Sequence, residues 1–119
     1  MIPQTVRIPI LNDEYRVIVC WGDEPYVCRV LKQYHYPEHE PIDFANHRGK
    51  TFMHTHCYPV IALSREPSDD EMIGTLAHEA FHAIDYIFAS IGEDSRDEVF
   101  AHSIGAVVRK TLHSLSKAR

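Results

Sequence analysis

Residues 78–82 read His78-Glu79-Ala80-Phe81-His82, an H-E-x-x-H pattern. Two histidines four positions apart on a helix lie one turn apart on the same face. Both imidazoles can then reach one ion at about 2.0–2.1 Å, the usual Zn–N distance. Glu79 lies about 100° further around the helix. From there its carboxylate addresses a water polarised by the metal, and takes the proton during attack on a carbonyl. The competing reading is two solvent-facing histidines on an amphipathic helix.

A catalytic zinc takes three protein ligands and keeps one position open. The leading third candidate is Glu98, in Asp97-Glu98-Val99-Phe100-Ala101-His102, which would complete a His78, His82, Glu98 set. Ser95 and Glu98 also have capping-box spacing, so Glu98 has a second reading as a helix cap. Geometry leaves the choice open. Nine helical residues after His82 would carry the chain about 13 Å beyond it, and Glu98 recovers only part of that. Either the first helix stops near residues 86–88, or the two helices cross steeply, or His102 is the ligand. If Glu98 binds the metal, His102 becomes a donor to the developing oxyanion or an orienting partner.

The elements that must position these residues follow from hydrophobic period and turn chemistry. Residues 5–10 and 15–21 are β-branched and aromatic runs separated by Asn12-Asp13, which predicts a hairpin. Residues 24–34 carry Val27, Val30, Leu31 and Tyr34 at helical spacing after Gly22-Asp23. Residues 51–64 predict one or two strands, bent at Tyr58-Pro59. Ser68 and Glu71 predict a capping box that opens a helix of about six turns. Its stripe is Ile73, Leu76, Ala77, Ala80, Ile84, Ile87 and Ile91, and Gly92 supplies the left-handed stop. A second helix starts near Ser95 with Val99, Phe100, Ile104, Val107, Val108, Leu112 and Leu115 on its stripe. Gly105 on that helix would let the two helices approach closely. The order predicts an α+β fold: a small antiparallel or mixed sheet with one helix, then two long C-terminal helices.

Composition limits the function classes. The chain has 119 residues, 45% apolar, 10% aromatic and 24% charged, which predicts one globular domain over 1–119 and excludes a disordered chain. A net charge of −5 argues against a nucleic-acid or anionic-membrane partner. No run of 18 apolar residues and no signal-like N-terminus is present; with three cysteines that match no zinc ribbon, a reduced, cytoplasmic setting is expected. Nine histidines are about three times ordinary usage, which points to metal or acid–base chemistry. His54 and His56 alternate, so they would share one face of a strand, as a solvated face, a substrate-facing pair or a second metal site. His35, His39, His47 and His113 have no partners at ligand spacing and are expected at the surface. Asp85 and Tyr86, one turn beyond His82, are candidates to bond a ligand imidazole or the substrate.

With these residues the chain resembles the zincin metallopeptidases, more narrowly the gluzincins, which carry H-E-x-x-H on one helix and a glutamate on the next. The segments Thr75-Leu-Ala-His-Glu-Ala-Phe-His-Ala and Asp97-Glu-Val-Phe-Ala-His-Ser-Ile-Gly105 are also similar to small metallopeptidases encoded by bacteriophages and prophages. The resemblance runs from Thr75 to Arg109. It implies a zinc-dependent hydrolase of peptide or amide bonds with one Zn²⁺ ion, His78, His82 and Glu98 as its ligands and Glu79 as the general base. It also implies a strand ahead of the metal helix that aligns an extended substrate, a role residues 51–64 are placed to fill. His102 departs from the pattern, because an aromatic is common at that position. A second class stays open: a metal-stabilised binding or regulatory module without turnover, which a closed site using both Glu98 and His102 would mark.

Overall fold

The computed structural model describes residues 1–38, 41–92 and 98–118. The chain begins with a hairpin, β1 (Gln4–Ile10) and β2 (Tyr15–Trp21), paired antiparallel from Gln4 opposite Trp21 to Ile10 opposite Tyr15. Its turn places Leu11, Asn12 and Asp13 at positive φ, a conformation Asn and Asp tolerate better than other side chains. Helix α1 (Glu24–Gln33) follows, capped by Asp23, whose carboxylate accepts from the Tyr26 N–H at 3.0 Å, with a proline in its first turn. Strands β3 (Gly49–Phe52) and β4 (Val60–Leu63) complete a mixed sheet of order β1-β2-β4-β3. β4 runs parallel to β2 and antiparallel to β3. Helices α2 (Asp70–Ser90) and α3 (Glu98–Ala118) end the chain. The α+β order read from the sequence therefore holds.

Alternation along the inner strands divides the interior in two. Ile18, Cys20, Val60 and Ala62 face α1, where they pack with Val27, Val30 and Leu31. Val17, Val19, Trp21, Ile61 and Leu63 face the other way and pack against α2 and α3. Covering both sheet faces explains why β4 is a continuous apolar run, buried at all four positions. No helix among the described residues is long and apolar enough to cross a membrane.

Several local expectations change. The cap of α2 is Asp69, which accepts from the Met72 N–H at 2.9 Å; Ser68 does not cap it. Glu71 turns outward to Arg48 and Arg65 instead of folding back on the cap, because these cations outcompete one local N–H for its carboxylate. Arg65 also pairs with Asp69. The Met72 N–H and the Arg65 guanidinium together hold the Asp69 carboxyl below its ordinary range. The buried stripe of α2 is rotated from the expected one: Met72, Glu79, Ala83 and Phe88 enter it, while Ile73 and Ala77 lie half out. On α3 the buried positions are Phe100, Ser103, Val107, Thr111 and Leu115, and Val99 is exposed. Gly92 stops α2 at φ +74° as expected. Gly105 does not mediate helix approach, since a Cβ there would meet only the guanidinium end of Arg109 from its own helix. The proposed Ser95 cap and His39 lie outside the described residues.

Candidate metal centre

The H-E-x-x-H segment sits in the middle of α2, and the rotation of the buried stripe decides what each residue meets. His78 and His82 point outward together. Their Nε2 atoms lie 3.2 Å apart, with ring centroids 4.7 Å apart and planes at 86°. At the usual Zn–N distance, two nitrogens so spaced would subtend about 100° at one shared ion, near the tetrahedral angle. The separation is that of two ligands on one tetrahedral ion, and equally that of a hydrogen bond from one imidazole to the other.

Glu79 turns inward. It is 9% exposed overall, and its carboxylate is held by β3. The Thr51 hydroxyl lies 2.8 Å from Glu79 Oε1 and 3.1 Å from the Glu79 carbonyl oxygen, and donates its one proton between them. The other oxygen, Oε2, stands 3.8 Å from His78 Nε2. One carboxylate oxygen is therefore tethered while the second faces the histidine pair. Gly49, two residues earlier on β3, makes this approach possible. A Cβ there would lie 2.8 Å from Thr75 Cγ2 and 3.3 Å from Glu79 Cγ, so only glycine lets the strand lie flush on α2. Two strand residues rise about 6.6 Å and four helical residues about 6 Å, so Gly49 meets Thr75 and Thr51 meets Glu79 in step.

On the opposite flank, Phe81 packs edge-on against His82 at 5.8 Å and against Phe100 at 5.7 Å. Phe100 also packs on Phe88 at 5.2 Å. This wedge brings the first turn of α3 back to the level of Phe81 although α2 continues to Ser90, so the metal helix does not end early. Glu98, two residues before Phe100, opens α3 as an exposed side chain. It stands 3.8 Å from His102 Nε2, one turn along its own helix. Glu98 and His102 thus lie together, as their spacing requires, but not on the histidine pair. Among the described residues no group of three His, Cys, Asp or Glu side chains is gathered around one point. Of the three candidate ligands, only His78 and His82 stand together.

The remaining sequence candidates fall elsewhere. His54 and His56 are not on a strand: both lie in the exposed connection between β3 and β4, His56 at φ 68°. Pro59 and a turn from Cys57 N–H to the His54 carbonyl interrupt the pairing there. His35, His47 and His113 are exposed as expected, and so is Asp85. β4, next before α2, is an inner strand; β1 and β3 lie at the two edges of the sheet. Thr51 and Gly49 carry no sequence signal for their role, because 28 residues separate Thr51 from Glu79 and no local pattern links them. Comparison with family models, curated proteins and solved structures finds no match.

Proposed function

We propose that the chain is a small zinc-dependent hydrolase of peptide or amide bonds. The observation that carries this reading is the division of labour on one helical turn: two exposed imidazole nitrogens stand 3.2 Å apart, while the buried carboxylate of Glu79 is tethered by one oxygen and keeps the other 3.8 Å from His78 Nε2. A purely solvent-facing histidine pair gives no reason to bury Glu79 and fix it with Thr51. His78 and His82 would hold the ion, and Glu98, which stands off the pair beside His102, would have to swing in from the start of α3 to serve as third ligand. Zinc would supply a Lewis acid for the carbonyl and a lowered pKa for water. Glu79 Oε2 takes the proton from the attacking water and passes it to the leaving amine. Thr51 holds the carboxylate in place, and β3, an edge strand of the sheet, lies where an extended peptide could run beside it.

The first test is zinc content by elemental mass analysis before and after chelation, beside His78→Ala and Glu98→Ala. One equivalent in the parent, lost in His78→Ala, supports the centre, and its loss in Glu98→Ala identifies the third ligand. A parent protein with no zinc after equilibration with the ion rejects the reading.

A further inference from the structure

A cleft of about 480 Å³ opens beside α2 one turn past the histidine pair, on the side of the β3–β4 connection. Its floor on α2 is formed by Tyr86, Ile87 and Ser90, and Tyr86 lies four residues after His82, about 6 Å along the axis. The facing wall is the connection itself, residues 55–59, which continues directly from β3, the strand that holds Glu79. Tyr15 closes the far side.

The wall is pre-built. The Tyr36 hydroxyl reaches the Phe52 carbonyl at 2.8 Å and the Tyr58 carbonyl at 2.6 Å, pinning together both ends of the connection. The Cys57 thiol reaches the His35 carbonyl at 3.6 Å, and the Cys57 N–H closes a turn on His54. Burial, reinforced by neighbouring Cys57 and Tyr86, pushes the Tyr36 phenol well above its ordinary pKa, so it remains a proton donor.

We propose that this cleft receives a large uncharged, preferably aromatic, side chain of a bound peptide, and so sets the substrate class of the centre beside it; the second half of this inference rests on the hydrolase reading above. Three observations select that occupant. The lining offers the rings of Tyr15, Tyr58 and Tyr86 with Ile87 and Pro59, surfaces that favour edge and face contacts with another ring. Tyr58 is 44% exposed, which leaves part of its ring open to contact with a bound side chain. Glu14 and Arg16 both line the cleft and carry opposite charges, so the lining offers neither a cationic nor an anionic side chain a net opposite charge. A peptide paired along β3 would continue past Thr51 towards the 53–59 connection, which carries its side chains to the mouth of the cleft.

The test is a backbone-amide NMR titration of the full chain, metal-free and zinc-supplemented, with N-acetyl-phenylalaninamide and N-acetyl-alaninamide. The phenylalanine probe should move the amides of residues 55–58 and 86–90 and bind about tenfold more tightly than the alanine probe. Ser90→Trp, at an exposed position on the floor, should block it, and Tyr58→Ala should weaken it severalfold without disturbing the core. Equal binding of both probes, shifts centred instead on Leu11, Phe88 and Val99, or indifference to Ser90→Trp would overturn the proposal. Selective binding to a protein that takes up no zinc would keep the aromatic cleft and remove the hydrolase reading. Zinc-dependent hydrolysis without preference for aromatic peptides would do the reverse.

Discussion

Thr51 has one hydroxyl proton and two acceptors on Glu79, and that small detail sets which carboxylate oxygen Thr51 holds and which it leaves for the proposed proton transfer. Replacing it by valine keeps the shape and removes the donor, whereas serine keeps the donor. Thr51→Val should lower turnover by about tenfold to a hundredfold with little change in KM, and Thr51→Ser should restore most of it, measured on a peptide substrate. Glu79→Gln removes the base and should lower turnover by about 10²–10⁴-fold while zinc content stays at one equivalent. If Glu79→Gln turned over normally, the base would have to be another group. The spacing of His78, Glu79 and His82 is legible in the sequence, and the proposed chemistry is argued from it. The tether was not legible, because a threonine in a strand has the same appearance whether or not a carboxylate lies beneath it.

At the scale of elements, close packing of β3 and α3 on α2 positions the site. Gly49→Ala would place a Cβ 2.8 Å from Thr75 Cγ2 and 3.1 Å from Leu63 Cδ2. The strand must then lift, so the variant should lose about 1–3 kcal/mol in denaturant unfolding and loosen the Thr51–Glu79 contact. Phe100→Ala empties the wedge between Phe81 and Phe88 and should cost about 3–5 kcal/mol by the same measurement. The start of α2 responds to acid. Asp69 is held below its ordinary pKa by the Met72 N–H and Arg65, so its contribution is fully present above the unfolded value of about 3.9 and is lost as pH falls through the folded value. A melting-temperature profile below about pH 4 should therefore fall less steeply for Asp69→Asn than for the parent. The sequence marked this helix start with an acidic, capping-rich stretch and was off by one residue, since Ser68 and Asp69 are both good caps and only the tertiary partners of Glu71 decide between them.

At the scale of the molecule, the sheet buries apolar side chains on both faces, in clusters that contain neither His78 nor His82, so chelation should leave the protein folded. Zinc should nevertheless raise its stability by mass action, about 2.7 kcal/mol at a hundredfold excess over Kd. A thermal melt with and without zinc checks this, and His82→Ala should abolish the increment. A parent whose melt ignores zinc at saturating concentration would contradict the proposed centre.

The local sequence determined the elements that follow from short-range period and turn chemistry: the hairpin, the three helices, the α+β order, the left-handed stop at Gly92 and the placing of His78 and His82 on one face. Tertiary structure alone decided which stripe of α2 is buried, and hence that Glu79 faces inward. It also placed β4 in the interior with β3 at the edge, and put His54 and His56 in a connection instead of on a strand. The physical reason is range. Periodicity fixes the relative angle of residues along one helix or strand. The rotation of that element and its partners are set by packing between segments far apart in the chain, here Gly49 on Thr75, Thr51 on Glu79 and Phe100 on Phe81.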